Sequence, residues 1–112
     1  MANPRISPAE LQNIQERYPG RIPVFVLKAR GTSADLPDLE KKKFLVPTSL
    51  TVGQLIYIVR QRMKLTAEKA LFLFVGNALP TTSTLVSDLY AAHKSDDGAL
   101  RIYYSSESVF GC

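Results

Sequence analysis

Few residues in this chain of 112 amino acids could run chemistry: there is one histidine, His93, and one cysteine, Cys112, which is the last residue. A lone thiol excludes a disulfide framework, and a single histidine leaves no Cys/His cluster to hold zinc. Ser-His-Asp chemistry would have to run through His93. That residue sits in Tyr90-Ala91-Ala92-His93-Lys94, which reads as the end of a helix, where an imidazole complements the helix dipole. No catalytic constellation, metal site or cofactor motif remains, so the chain is not expected to be an enzyme. Cys112 fits poorly with prenylation, because that box places its cysteine fourth from the end. Taken alone, Phe110-Gly111-Cys112 reads as a floppy terminus.

The net charge of +4 favours acidic partners: peptides, anionic lipids or nucleic acid. The basic run Glu40-Lys41-Lys42-Lys43 is short, and such runs are most often solvated faces. No nucleic-acid motif accompanies it, so nucleic acid is not expected as a partner. The longest apolar runs fall well short of the ~20 residues a membrane helix needs, and Met1 to Pro8 has no apolar core like that of a signal peptide. A cytoplasmic start is therefore expected, with membrane contact acquired later.

These residues must be positioned by a single domain, since one domain spans about 100–200 residues. Ser7-Pro8-Ala9-Glu10 predicts a helix start with a capping serine, a proline at the first helical position and a capping-box glutamate. Leu11, Ile14 and Tyr18 follow at helical spacing until Pro19-Gly20. Ile22 to Leu27 reads as a strand, with Pro23 at its start or on an unpaired side. Arg30 to Asp38 is a polar connection, and Lys43 to Val46 a second strand stopped by Pro47. Thr51-Val52-Gly53-Gln54 is a second capping box, and behind it Val52, Leu55, Ile56, Val59 and Met63 form an apolar stripe. Leu71 to Val75 is apolar at every position and is expected to be covered on both faces. Gly76-Asn77 is a turn, Ala78-Leu79 a scrap of strand, and Thr84 a cap for a short helix carrying Leu85, Leu89 and Tyr90. Asp96-Asp97-Gly98 is a turn before the last strand, Leu100 to Tyr104. Two hairpins around a helix with a returning strand predict an α+β class, the β-grasp arrangement, with an N-terminal helical extension.

Arg21-Ile22-Pro23-Val24, Lys43-Phe44-Leu45-Val46-Pro47, Leu50-Thr51-Val52-Gly53-Gln54 and Glu68-Lys69-Ala70 resemble the autophagy ubiquitin-like modifiers, the family of GABARAP and the microtubule-associated light chains. Phe72-Leu73-Phe74-Val75, Leu79-Pro80, His93-Lys94, Asp97-Gly98, Tyr104-Ser105 and Phe110-Gly111 continue the resemblance in order. It implies a ubiquitin-like β-grasp core at 21–105, a helical extension at 1–20 and a conjugation tail at 106–112. It also implies cleavage between Gly111 and Cys112 by an autophagy cysteine protease, with Phe110 as a recognition handle. The Gly111 carboxyl would then pass through activating and conjugating enzymes to phosphatidylethanolamine on the autophagosomal membrane. Glycine suits that position because it has no side chain to block a narrow enzyme site.

The family also docks acidic-aromatic peptides of cargo receptors as an added strand. By resemblance, Glu10, Ile14, Pro23, Phe25, Lys43 and Leu45 line an aromatic pocket. Phe44, Val46, Pro47, Leu50, Leu55 and Ile58 line an aliphatic one, and Arg62 meets acidic groups. Phe72 and Phe74 match residues read by the conjugation enzymes, with core packing an equal reading. A monomer is expected before conjugation. A modifier joined to protein, or an unconjugated peptide-binding adaptor, is the alternative. The chain departs from the family in having one helix before its first strand, in Arg101 where an aromatic is usual, and in Ala99 where phenylalanine is usual. Ala99 implies a wider or shallower aromatic pocket.

Overall fold

The computed structural model describes residues 5–29, 36, 39, 41–66, 68–76 and 78–106. In chain order its elements are α1 (Pro8–Arg17), β1 (Arg21–Lys28), β2 (Lys43–Pro47), α2 (Val52–Met63), β3 (Phe72–Phe74), α3 (Val86–His93) and β4 (Leu100–Ser105). The strands form one sheet in the order β2-β1-β4-β3. β1 pairs antiparallel with β2, β3 pairs antiparallel with β4, and the central β1–β4 pair is parallel. This is the expected β-grasp, with α1 as the N-terminal extension.

Helix α2 begins as its capping box requires. The Thr51 hydroxyl accepts from the Gln54 N–H at 3.2 Å, and the Gln54 side chain accepts from the Thr51 N–H at 2.9 Å. Thr51→Ala is expected to destabilise the fold by about 1 kcal/mol, the usual worth of such a cap, read as a lowered urea midpoint. The other two helix starts differ from their local signals. At α1 the Ser7 hydroxyl caps the Glu10 N–H at 3.1 Å, but the Glu10 carboxylate pairs with Lys43 on β2 instead of completing the box. A full opposite charge outbids a neutral N–H as partner for the carboxylate. At α3 the cap position is Leu85, with no side-chain bond. Thr84 instead bonds Thr81 through its hydroxyl, and its carbonyl accepts the Val52 N–H of α2. The scrap of strand near Ala78 reduces to a single bridge, Val75 to Ala78.

Alternation along the strands divides the core in two. Val24, Val26, Phe44, Val46, Leu100 and Ile102 pack with Val52, Leu55, Val59 and Met63 of α2. Leu36 and Leu39 join this larger core, so the connection read as polar contributes one buried leucine and the residue just after it another. On the opposite face, Phe25, Leu27 and Ala99 pack with Ile6 and Ile14, flanked by Leu11, Leu45 and Tyr103. The apolar run at β3 is covered on both faces as expected, since the successive residues Leu73 and Phe74 are both buried.

Candidate functional site

β2 is an edge strand, hydrogen-bonded only to β1. Its ladder register follows from the bond between the Val26 N–H and the Lys42 carbonyl, 2.8 Å. Residues of an antiparallel strand alternate between facing their partner and facing away. Phe44 and Val46 therefore turn their backbone groups to β1, and Lys43 and Leu45 turn theirs outward. The same alternation accounts for Pro23, which lies opposite Leu45 and one residue before β1 begins pairing with β4 at Val24. Its missing N–H is not needed on either side. One outward carbonyl is occupied: Arg21 Nη1 donates to the Leu45 carbonyl at 3.1 Å.

Side chains of β2 also alternate, so the edge has two different walls. Lys43 and Leu45 lie on the α1 face with Glu10, Ile14, Pro23 and Phe25. Glu10 and Lys43 form a half-exposed ion pair tying α1 to β2, while Ile14, Pro23 and Phe25 are buried. On the α2 face, Phe44, Val46 and Leu55 are core residues, Leu55 wholly inaccessible, and Leu50 and Ile58 are half-buried against them. Pro47, half-buried at the end of β2, has the parity of Lys43 and Leu45. Arg62 is exposed on α2. The structure thus brings the six residues of the aromatic set to one side of the edge and the apolar members of the aliphatic set, except Pro47, to the other. An extended segment laid along β2 would send side chains an odd number of positions apart to opposite walls.

The other sheet edge, β3, bounds a cavity of about 340 Å³ lined by Ile56, Leu71, Phe72, Leu79 and Pro80, among others. Half-buried Phe72 faces it. Phe74 is 2 % exposed and does not line it. Phe110, Gly111 and Cys112, like the connection from Arg30 to Asp38 apart from Leu36, lie outside the described residues. His93 ends α3 as expected, on an exposed turn. Among the described residues no group of three or more His, Cys, Asp and Glu gathers to hold a metal, and no helix is long and apolar enough to cross a membrane.

Sequence reading missed a buried ionic cluster beneath the aromatic wall. Arg101 grips Asp97 with two bonds of 2.9 and 2.8 Å, and Asp97 also accepts the N–H groups of Ile6 at 3.0 Å and Ala99 at 3.3 Å. The Asp97 side chain is 2 % exposed and that of Arg101 is 12 % exposed. The Arg101 bonds, helped by the two N–H donors, hold the Asp97 carboxyl well below the usual carboxylate range, against the opposing effect of burial. The guanidinium lies 5.2 Å from the centre of the Phe25 ring. The available signal was Arg101 itself: a charge at a position of β4 that faces α1 needs a buried partner, and Asp97 stands four residues earlier.

The room left by Ala99 is taken. Ala99 is fully buried, and Ile6 and Leu11 pack in its cluster. Leu11 leans so closely over the preceding turn that a Cβ on Gly98 would lie 2.5 Å from its Cδ2. Gly98 also holds φ +87°, a left-handed conformation that side chains resist. Gly98→Ala is expected to cost about 1–3 kcal/mol, read by thermal unfolding, with Leu11→Ala recovering the part due to contact.

With the fold and edge geometry in place, the comparisons with known proteins agree. The family model described as "Autophagy protein Atg8 ubiquitin like" matches residues 7–111. Autophagy-related protein 8a of Arabidopsis thaliana is 56% identical over 103 residues, covering 92% of this chain and 83% of that protein. Autophagy-related protein 8 of Mycosarcoma maydis is 50% identical, with 92% and 86% covered. Among solved structures, Trypanosoma brucei ATG8 superposes with a TM-score of 0.82 at 37% identity, covering 92% of this chain and 87% of that one. Plasmodium falciparum Atg8, solved in complex with a Plasmodium falciparum Atg3 peptide, gives 0.78 at 41% identity, with 89% and 87% covered. The chain belongs to the Atg8 family of autophagy-related ubiquitin-like modifiers, proteins that are not themselves enzymes.

Proposed function

We propose that this modifier is trimmed after Gly111, joined through that glycine to phosphatidylethanolamine, and used on the membrane to hold acidic-aromatic peptides along β2. The observation that carries the peptide half is the open edge of β2. It presents outward backbone groups of Lys43 and Leu45 between two walls of different shape. An added strand gains affinity from backbone pairing and specificity from the walls. The Atg3 peptide held by the Plasmodium relative supports a conjugating-enzyme peptide as one such ligand, beside cargo receptors. At the other edge, Phe72 and the cavity beside it suit recognition by conjugation enzymes, with Phe74 supporting that surface from inside.

The conjugation half rests on the tail. Water, delivered by a cysteine protease, cleaves the Gly111–Cys112 peptide bond and leaves a glycine carboxylate and free cysteine. Forming the thioester is uphill, so at the activating enzyme the Gly111 carboxylate displaces pyrophosphate from a nucleoside triphosphate, and an enzyme thiol then displaces the nucleoside monophosphate from the mixed anhydride. The lipid amine then attacks the thioester carbonyl. A C–N bond forms, the C–S bond breaks, and the enzyme thiol leaves. Glutamate and lysine at the edge take no part in this chemistry.

The test is intact mass after incubation with the protease, and then with the activating and conjugating enzymes and phosphatidylethanolamine vesicles. Loss of one cysteine followed by gain of one lipid is the expected record. A protein adduct in place of the lipid, or an unchanged mass, would overturn it. For the edge site, Leu50→Ala is expected to weaken an acidic-aromatic peptide by about 1 kcal/mol, roughly fivefold in Kd, by calorimetric titration.

A further inference from the structure

We infer that Ile6 and Leu11 set the size of aromatic side chain that the peptide site accepts. This rests on the proposed peptide site along β2 and adds residues that belong to neither of its walls as described above. Arg101 and Tyr103 of β4 line this face beside Phe25. Just before β4, however, Ala99 contributes only a methyl group, which is fully buried. Ile6 and Leu11 fill the remaining space from the α1 side, in one cluster with Ile14, Phe25 and Ala99.

The two fillers are held differently from the rest of the wall. Phe25 is fixed by a strand that pairs on both sides. Ile6 lies ahead of α1 and is anchored by one backbone bond, from its N–H to Asp97. Its neighbour Arg5 adds an ion pair to Asp96 whose side chains are 61% and 84% exposed, a class of contact of little worth. Leu11 is only partly buried and bends its terminal carbons over Gly98. The bottom of the wall is therefore built from one short arm and one helix side chain, both of which can be shortened without breaking a strand ladder. Packed as they are, they close the inner end of the wall beneath Ile14 and Phe25. Removing either one opens space that only a larger ring fills, because an unfilled cavity forfeits contacts.

Two peptides identical except for phenylalanine or tryptophan at the aromatic position distinguish these arrangements. Their Kd values would be measured by calorimetric titration on the wild type, Ile6→Ala and Leu11→Ala. The expected result is a shift of the Phe/Tryptophan preference toward tryptophan by about fivefold or more in each variant, with the absolute affinity for the phenylalanine peptide falling. Ile6→Val and Leu11→Val, which remove less volume, should shift the ratio in the same direction by less, and they keep the test available if an alanine variant fails to fold. A ratio unchanged in folded variants that still bind both peptides would overturn the inference and leave the peptide site standing. Failure of either peptide to bind the wild type would overturn the site, and the inference with it.

Discussion

Asp97→Ala is expected to destabilise the protein by about 3–5 kcal/mol, because it leaves the Arg101 guanidinium buried without its counter-charge. With a urea dependence of about 1–3 kcal/mol per molar, the midpoint should fall by on the order of 2 M. The exposed Arg5–Asp96 pair provides the internal comparison: Asp96→Ala should cost no more than about 1 kcal/mol. Replacing both partners as Asp97→Asn with Arg101→Met should recover much of the loss, since a buried pair is costly chiefly when half of it is removed. The same cluster sets an acid dependence. Its carboxyl titrates lower in the folded protein than the ~3.9 of an unfolded aspartate, so its contribution is complete above that value. As pH falls below about 4 toward the depressed folded value, that contribution is lost. The stability gap between wild type and Asp97→Asn should therefore be wide at neutral pH and narrow in acid. Urea midpoints that differ equally at both pH values would show that the carboxylate is not the source.

Gly111→Ala should abolish lipid conjugation while leaving peptide binding intact. A methyl group beside the reacting carbonyl must enter each narrow enzyme site along the way, and glycine is the residue that lets a backbone approach closely. The consequence for location is large. Each buried CH₂ is worth about 0.8 kcal/mol, and stable anchoring takes two acyl chains, which one phosphatidylethanolamine supplies. Flotation with phosphatidylethanolamine vesicles after full reconstitution should place wild type with the vesicles and Gly111→Ala at the bottom. Both proteins should titrate an acidic-aromatic peptide with the same Kd, since the substitution alters no residue of β2 or its two walls. Efficient flotation of Gly111→Ala would remove the assignment of that glycine.

What could be read from the sequence was what local spacing controls. The Thr51–Gln54 capping box, the stripe from Val52 to Met63 and the doubly covered run at β3 all stand where their residue types put them. Expectations slipped where a distant partner competed with a near one. Glu10 had a local N–H within reach and took Lys43; Thr84 could have capped α3 and bonded Thr81. Ile6 is buried among Ile14, Phe25 and Ala99 with its N–H held by Asp97, 91 positions away, and no periodicity encodes that. Leu36 and Leu39 were lost among polar neighbours, because two leucines in a loop carry no strand or helix period. For the site, the family resemblance supplied the two sets of residues, and alternation along Lys43 to Val46 accounts for their division once the strand is in place. That β2 is an outer strand depends on the sheet order, which local pattern does not contain and the family resemblance implied.

The parallel pairing of β1 with β4 has a consequence for how the protein is made. β1 leaves the ribosome well before β4, its inner neighbour, and Val24, Val26, Leu100 and Ile102 are nearly or wholly inaccessible only once both are present. A nascent chain that ends before Leu100 lacks the middle of its sheet and leaves the inner edge of β1 open. Such long-range closure slows folding, since loop entropy is lost before the contacts form. A translation product that stops before Leu100 therefore has no finished sheet to present. Any enzyme that recognises the folded surface meets it only on chains that have been made beyond β4.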